Sequence, residues 1–474
     1  MSLPDDAFDP PIDTGGQLRV TPAGSSVVAT DALLASADRL RGLELALHED
    51  GRRLVAAHAL DGWPVPDFLL PRLERVRERC AAARDAFGRA AEEYTRVEAL
   101  VEGAQRDLAA LVAALVGPMA FGVLARMIAS TPGLLIAGAL LGWAAIPDGG
   151  DGRLGTVKQF LLDNPELITS PEFVRLVSHL ATSIDAAALG LAGVPPLLAA
   201  AFDLGPDGGV AAGAVTVAAL GALIGMFRET PVAVEAVRST PIAAAPEGAR
   251  QRMNEIPEGD QIRIEKYEAD GMPPRFVVYI GPTETFSPFA GREPFDLTSN
   301  VVGVAGLDPA SFRAVELAME QAGVTAGDEI VVSGFSQGGL IATMVAGSRD
   351  WNVYGLETYG APAGNIPLPD GIHGFAARNT DDFIPALAGP QLDHSVMQIE
   401  REAYRAGTEM PTALPAPAHQ RFAYGHLADA IDGAEARTVR TEVRLIDAFA
   451  AEYLDLPGGR GTSTTYRAVR IESP

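Results

Sequence analysis

One stretch constrains this chain more than any other: Glu329-Ile330-Val331-Val332-Ser333-Gly334-Phe335-Ser336-Gln337-Gly338-Gly339-Leu340-Ile341-Ala342. The β-branched apolar run predicts a buried strand, and the residues after Gly339 predict a helix. Between them stands Gly334-x-Ser336-x-Gly338, the pattern of a strand-to-helix turn so tight that a Cβ at either glycine would collide with its surroundings. Such a turn lifts a serine hydroxyl above the end of a parallel sheet, which makes Ser336 the candidate nucleophile. In a chain with 50 glycines the pattern also arises by chance, as an ordinary Gly-Ser turn. Its strand and helix flanks remove most such accidents.

At 474 residues and 47% hydrophobic composition, the chain has room for two to three domains with large cores. A formal net charge of −24 argues against nucleic acid and against simple adsorption to an anionic membrane surface. Cys80 stands alone, so no intrachain disulfide is available. The first thirty residues lack a basic segment followed by an apolar core, so no ordinary secretory signal is expected. Cytoplasmic, membrane-associated and non-Sec exported locations all stay open.

Residues 1–25 read as a disordered leader rich in Pro, Gly and Asp. Residues 26–110 predict a helical hairpin that turns at Asp61-Gly62-Trp63-Pro64. Its second arm carries Leu69, Leu73, Val76, Cys80, Ala83 and Phe87 at steps of three or four, which places Cys80 on the packed seam. Residues 111–228 read as an apolar helical region. The uncharged runs within 108–147 and 186–227 approach the length that crosses a bilayer, with Gly138-x-x-x-Gly142 and Gly221-x-x-x-Gly225 spacing. Two readings stand for these runs: membrane contact, or helices wholly buried in protein. Residues 229–260, with Thr230-Pro231, Thr240-Pro241 and Ile256-Pro257, read as a linker.

From residue 261 the periodicity changes. Gln261–Tyr267 and Arg275–Ile280 predict a hairpin around Asp270-Gly271. Pro309–Ala322 predicts a helix, Val353–Thr358 and Ile372–Ala377 predict strands, and Phe422–Ile431 and Val439–Tyr453 predict helices. Thr465–Ile471 alternates like an edge strand. The expectation is a mostly parallel sheet covered on both faces over 261–474, behind an all-α N-terminal half.

A serine hydroxyl needs a base, and the base needs a carboxylate to fix its tautomer. With this turn the chain order is Ser, acid, His. Arg378-Asn379-Thr380-Asp381-Asp382-Phe383-Ile384-Pro385 follows a predicted strand and supplies Asp382, with Asp381 in reserve; the pair would otherwise cap a turn. His419 lies in a Pro-rich loop, the setting a base leaning over a sheet edge requires. His426, within a predicted helix, and His394, closer to Asp382, are the alternatives. His373 belongs to a strand and reads as structural.

These segments resemble the fungal-type triglyceride lipases (class 3 lipases) and related actinobacterial hydrolases. Tyr359-Gly360-Ala361-Pro362-Ala363-Gly364-Asn365 is similar to their Gly-x-Pro-x-x-Gly-Asn loop, one residue short, and Asp382-Phe-Ile-Pro385 matches their Asp-x-Val/Ile-Pro. Val278-Tyr279-Ile280-Gly281-Pro282-Thr283 sits where they have a strand ending in a Gly-Thr oxyanion loop, although Pro282 alters it and Phe335 stands where many have His. The pattern His419-x-x-x-x-Tyr424 looks like one shared by the actinobacterial relatives. The resemblance covers roughly residues 260–455. It implies an α/β-hydrolase fold and a Ser336–His419–Asp382 triad cleaving an acyl ester or lipid through an acyl-enzyme. The backbone N–H of Gln337 and a donor at Thr283 would form the oxyanion hole. Thr283–Asn300, with Phe286, Phe289 and Phe295, reads as a lid, an acyl-binding wall or an ordinary packed loop. No metal cluster or nucleotide loop is visible, so no cofactor is implied. Separately, Trp63 and Tyr94-x-x-x-Glu98 give residues 26–110 a likeness to helical hairpins recognised by type VII secretion systems, without the usual Trp-x-Gly. That likeness implies export machinery or a helical partner. It keeps open a secreted or membrane-acting effector, and an inactive scaffold is the third reading.

Overall fold

The structure, a computed structural model, describes residues 15–23, scattered positions within 41–84 and 165–178, and 227–471 apart from 288, 390–394 and a few positions between 406 and 415. The chain divides into two compact units, Ser25–Arg126 and a second made of Met1–Gly24 with Met127–Pro474. In the first unit the described residues between 41 and 55 and between 71 and 84 are helical. Arg84 and Glu44 join the two segments through a 2.7 Å ion pair, and Cys80 is buried. The turn at Trp63, the Tyr94/Glu98 pair and the apolar runs of 108–147 and 186–226 lie outside the described residues. Among those described, no helix is long and apolar enough to cross a membrane.

The second unit is built on one nine-stranded sheet. Its strands are β1 (Arg19–Thr21), β2 (Val232–Ile242), β3 (Ile262–Glu268), β4 (Arg275–Ile280), β5 (Glu329–Phe335), β6 (Asn352–Tyr359), β7 (His373–Asn379), β8 (Met397–Arg401) and β9 (Arg460–Arg470). The spatial order is β1-β8-β7-β6-β5-β4-β3-β9-β2. Only β4 to β8 run parallel to one another. The pairs β1–β8, β3–β4, β3–β9 and β2–β9 are antiparallel.

The expectation of a mostly parallel α/β-hydrolase-type sheet behind an all-α N-terminal half is therefore wrong. The sheet is mixed, with antiparallel strands at both margins, and the early chain supplies β1. Strand–helix alternation argues for parallel pairing only where a helix carries the chain back. β3 and β4 form the expected hairpin, antiparallel through a short turn in which Gly271 takes φ 76°, and the further antiparallel strands β9, β2 and β1 extend the sheet beyond the expectation. β9, expected at an edge, lies inside between β3 and β2. Residues 229–260, expected to be a linker, contain β2 and helix α1 (Gly248–Glu255). Pro241 is tolerated because β2 is the outermost strand.

Among the described residues of this unit, five more helices have eight or more residues: α2 (Leu297–Val304), α3 (Ala310–Ala322), α4 (Gln337–Ser348), α5 (Arg421–Asp432) and α6 (Arg437–Asp455). Successive strand residues point to opposite faces. Val277, Val331 and Phe375 pack with Met253 of α1, Leu427 of α5 and Phe449 of α6. Val278, Val332 and Leu356 pack with Val315 and Met319 of α3 and Ile341 and Val345 of α4. A buried ion pair enters the first layer: Arg252 of α1, 2% exposed, grips Glu357 of β6 through two bonds of 2.8 and 2.6 Å.

Candidate active site

Ser336 is the junction residue between β5 and α4. It holds φ 55° and ψ −119°, a conformation that costs a non-glycine residue about 1–3 kcal/mol. The flanking glycines hold it there. A Cβ on Gly334 would overlap the carbonyl of Gly338, and one on Gly338 would overlap the carbonyl of Ile280 on β4. The Ser336 N–H donates to Tyr359 O at 2.8 Å, so the turn is pinned to the end of β6. The side chain is thereby aimed off the carboxyl end of the parallel block, where open sheets of this kind gather their ligands.

Three elements converge there. Asp382 follows β7 and caps the single helical turn Phe383–Ala386, its Oδ1 accepting from Ile384 N at 3.0 Å. The expected turn-capping role and a role toward histidine thus coexist, because Oδ2 lies 2.6 Å from Nδ1 of His419. His419 closes a 3₁₀ turn, Pro417–His419, just ahead of α5, and its Nε2 is 2.8 Å from Ser336 Oγ. A carboxylate can only accept, so Nδ1 carries the proton and Nε2 presents its lone pair to the serine hydroxyl. Ser336 is 9% exposed and the Asp382 side chain is fully buried.

The other described candidates have different partners. Asp381 points away from the histidine and accepts from Ala403 N at 2.8 Å and Tyr404 N at 2.9 Å. Burial pushes its carboxyl up to about 6 despite those two donors. His426 sits a turn further along α5, where its carbonyl accepts from Arg401. His394 lies outside the described residues. His373 contacts Glu442 at 3.2 Å, away from the serine.

On the opposite side of Ser336, Gln337 opens α4 and places its backbone N–H at a helix N-terminus, the positive end of the peptide dipoles. Its side chain is tied to Asp296 O at 2.9 Å. Thr283 lies three residues past β4; its Oγ1 accepts from Asn300 Nδ2 at 2.9 Å, leaving its own hydroxyl proton to donate. Pro282, having no N–H, offers none. The segment beyond Thr283 is closed at its base by Glu284 N to Phe295 O at 2.7 Å and Leu297 N to Thr285 O at 3.0 Å. Within it Phe295 is fully buried, whereas Phe286 and Phe289 are exposed.

Two contributors were not assigned a role from the sequence. Tyr424 of α5 donates its hydroxyl to Asp382 Oδ2 at 2.7 Å and accepts from Asn379 N at 3.2 Å. Burial, then the adjacent Asp382 charge, push its phenol well above the ordinary value, which keeps it a donor. Its only sequence signal is the five-residue spacing from His419. Phe335 stacks on the His419 ring at 5.3 Å, with 25° between planes, limiting its rotation. Among the described residues no group of His, Cys, Asp or Glu is arranged to hold a metal. No family model, curated protein or solved structure matches the chain.

Proposed function

We propose that this chain is a serine hydrolase that cleaves an acyl ester, as its resemblance to class 3 lipases implies. The observation that carries the reading is the continuous relay Ser336 Oγ, His419 Nε2, His419 Nδ1, Asp382 Oδ2, with steps of 2.8 and 2.6 Å. In that mechanism His419 takes the Ser336 proton as Oγ attacks the ester carbonyl. Asp382 stabilises the imidazolium that forms. The Gln337 N–H and a donor at Thr283 meet the developing oxyanion. Collapse expels the alcohol, which takes its proton from His419. Water, deprotonated by the same imidazole, then attacks the acyl-enzyme and releases the acid.

The test is covalent labelling by a fluorophosphonate probe together with turnover of p-nitrophenyl acetate. Both are expected in the purified chain and both are expected to disappear in Ser336→Ala. A folded, unlabelled wild-type chain would remove the reading.

A further inference from the structure

The segment 165–178 belongs to the half of the chain that the lipase resemblance leaves out, yet it packs on both loops of the candidate relay. It begins with a helical turn, Pro165–Ile168. Ser170 then caps a second one, its Oγ accepting from Phe173 N at 3.2 Å, with Pro171 at the first helical position. The spacing of Phe173, Val174 and Val177 puts three apolar side chains on one helical face.

That face meets the acid loop. Ile168 and Val177, 2% and 4% exposed, form a cluster with Phe383, Ala386 and Leu387, and Phe173, Val174, Ile384 and Ala416 pack around it. The Phe173 ring stands edge-on to Phe383 at 5.9 Å and 86°. Phe383 is the residue after Asp382, and Ala416 opens the turn that ends in His419. Ala416 itself holds φ 48°, a conformation unfavourable for alanine that needs support from its surroundings. One apolar cluster therefore grips the backbone beside the acid and the backbone beside the base.

We infer that Ile168, Phe173, Val174 and Val177 form an apolar clamp, with Phe173 as a positioning residue that sets the Asp382–His419 distance. The inference rests on the serine-hydrolase reading. Phe173 packs on Phe383, not on the reacting atoms. It acts through Phe383 and Ala416, so its loss should loosen the carboxylate–imidazole contact without emptying the substrate site.

The test compares Phe173→Ala, Phe173→Leu and Val177→Ala with the wild-type full-length chain, using p-nitrophenyl acetate across pH 5–9. Phe173→Ala is expected to lower kcat about ten-fold with KM little changed. Phe173→Leu should restore most of the lost kcat, and Val177→Ala should lower kcat in the same direction by less. Wild-type kcat in Phe173→Ala, or a loss confined to KM, in a preparation whose wild type is labelled at Ser336, would overturn the clamp. An unlabelled wild type would overturn the hydrolase reading and the clamp together.

Discussion

A carboxylate that orients an imidazole must itself be held, and at Asp382 three donors share that task. Ile384 N takes Oδ1, while the Tyr424 hydroxyl and His419 Nδ1 converge on Oδ2. Tyr424 is buried and its oxygen is fixed by Asn379 N, so its proton has one destination. Tyr424→Phe should therefore keep the fold and KM but lower kcat about ten-fold, since a hydrogen bond to a charged group is worth roughly 1.5–3 kcal/mol. Steady-state kinetics on p-nitrophenyl acetate read this directly, and an unchanged kcat would show that Ile384 and the chain geometry suffice. Ser336 and Asp382 could be picked out because glycine spacing and a strand-end loop leave short-range marks. Among the histidines, a Pro-rich loop favours His419, but that mark is weaker and leaves His426 and His394 as alternatives. The choice among them depends on where a 3₁₀ turn ends relative to a strand many residues earlier, and Tyr424 is visible beforehand only as a spacing.

At the scale of elements, β3 to β7 and helices α3 to α6 carry clear periodicity, and their bounds fall within a few residues of the pattern, whereas β8 and α2 are not read from it. The stretch 229–260 does not, and the reason is chemical. Prolines and charges normally mark solvent-exposed connections, but here Pro241 sits on the outermost strand and Arg252 is buried against a carboxylate. No local signal distinguishes a solvated arginine from one that will meet Glu357, 105 positions away, and Asp447 on α6. The consequence is measurable. Arg252→Met leaves Glu357, 0% exposed, without its partner and should destabilise the chain by about 3–5 kcal/mol in denaturant unfolding. Adding Glu357→Gln to Arg252→Met should recover much of the loss. If Arg252→Met alone is neutral, α1 is not anchored by this pair.

For the whole molecule, the sheet's margins explain both its mixed character and its pH response. β1 is contributed from before Ser25 and β9 from the end of the described chain, so closing the sheet depends on contacts that no window of sequence contains. Bringing β9 beside β3 also buries Glu265, paired in register with Ser463. Burial pushes its carboxyl up to about 7, opposed by the Tyr267 hydroxyl at 2.8 Å and by Arg263, and reinforced by Glu255. A carboxyl whose pKa is higher folded than unfolded stabilises the fold when protonated. That contribution is complete below the unfolded value near 4.5 and is lost as pH rises through about 7. Asp381, raised to about 6, acts in the same direction over a narrower window. Glu265→Gln keeps an acceptor for Tyr267 but never ionises. It should match wild type near pH 4.5 and exceed it by about 2–3 kcal/mol at pH 8.5, where the wild-type chain must hold a buried charge. Urea unfolding at the two pH values measures the difference. A gap of equal size at both would mean that Glu265 does not titrate in this range, and a gap widening toward acid would mean that it is stabilised as the anion.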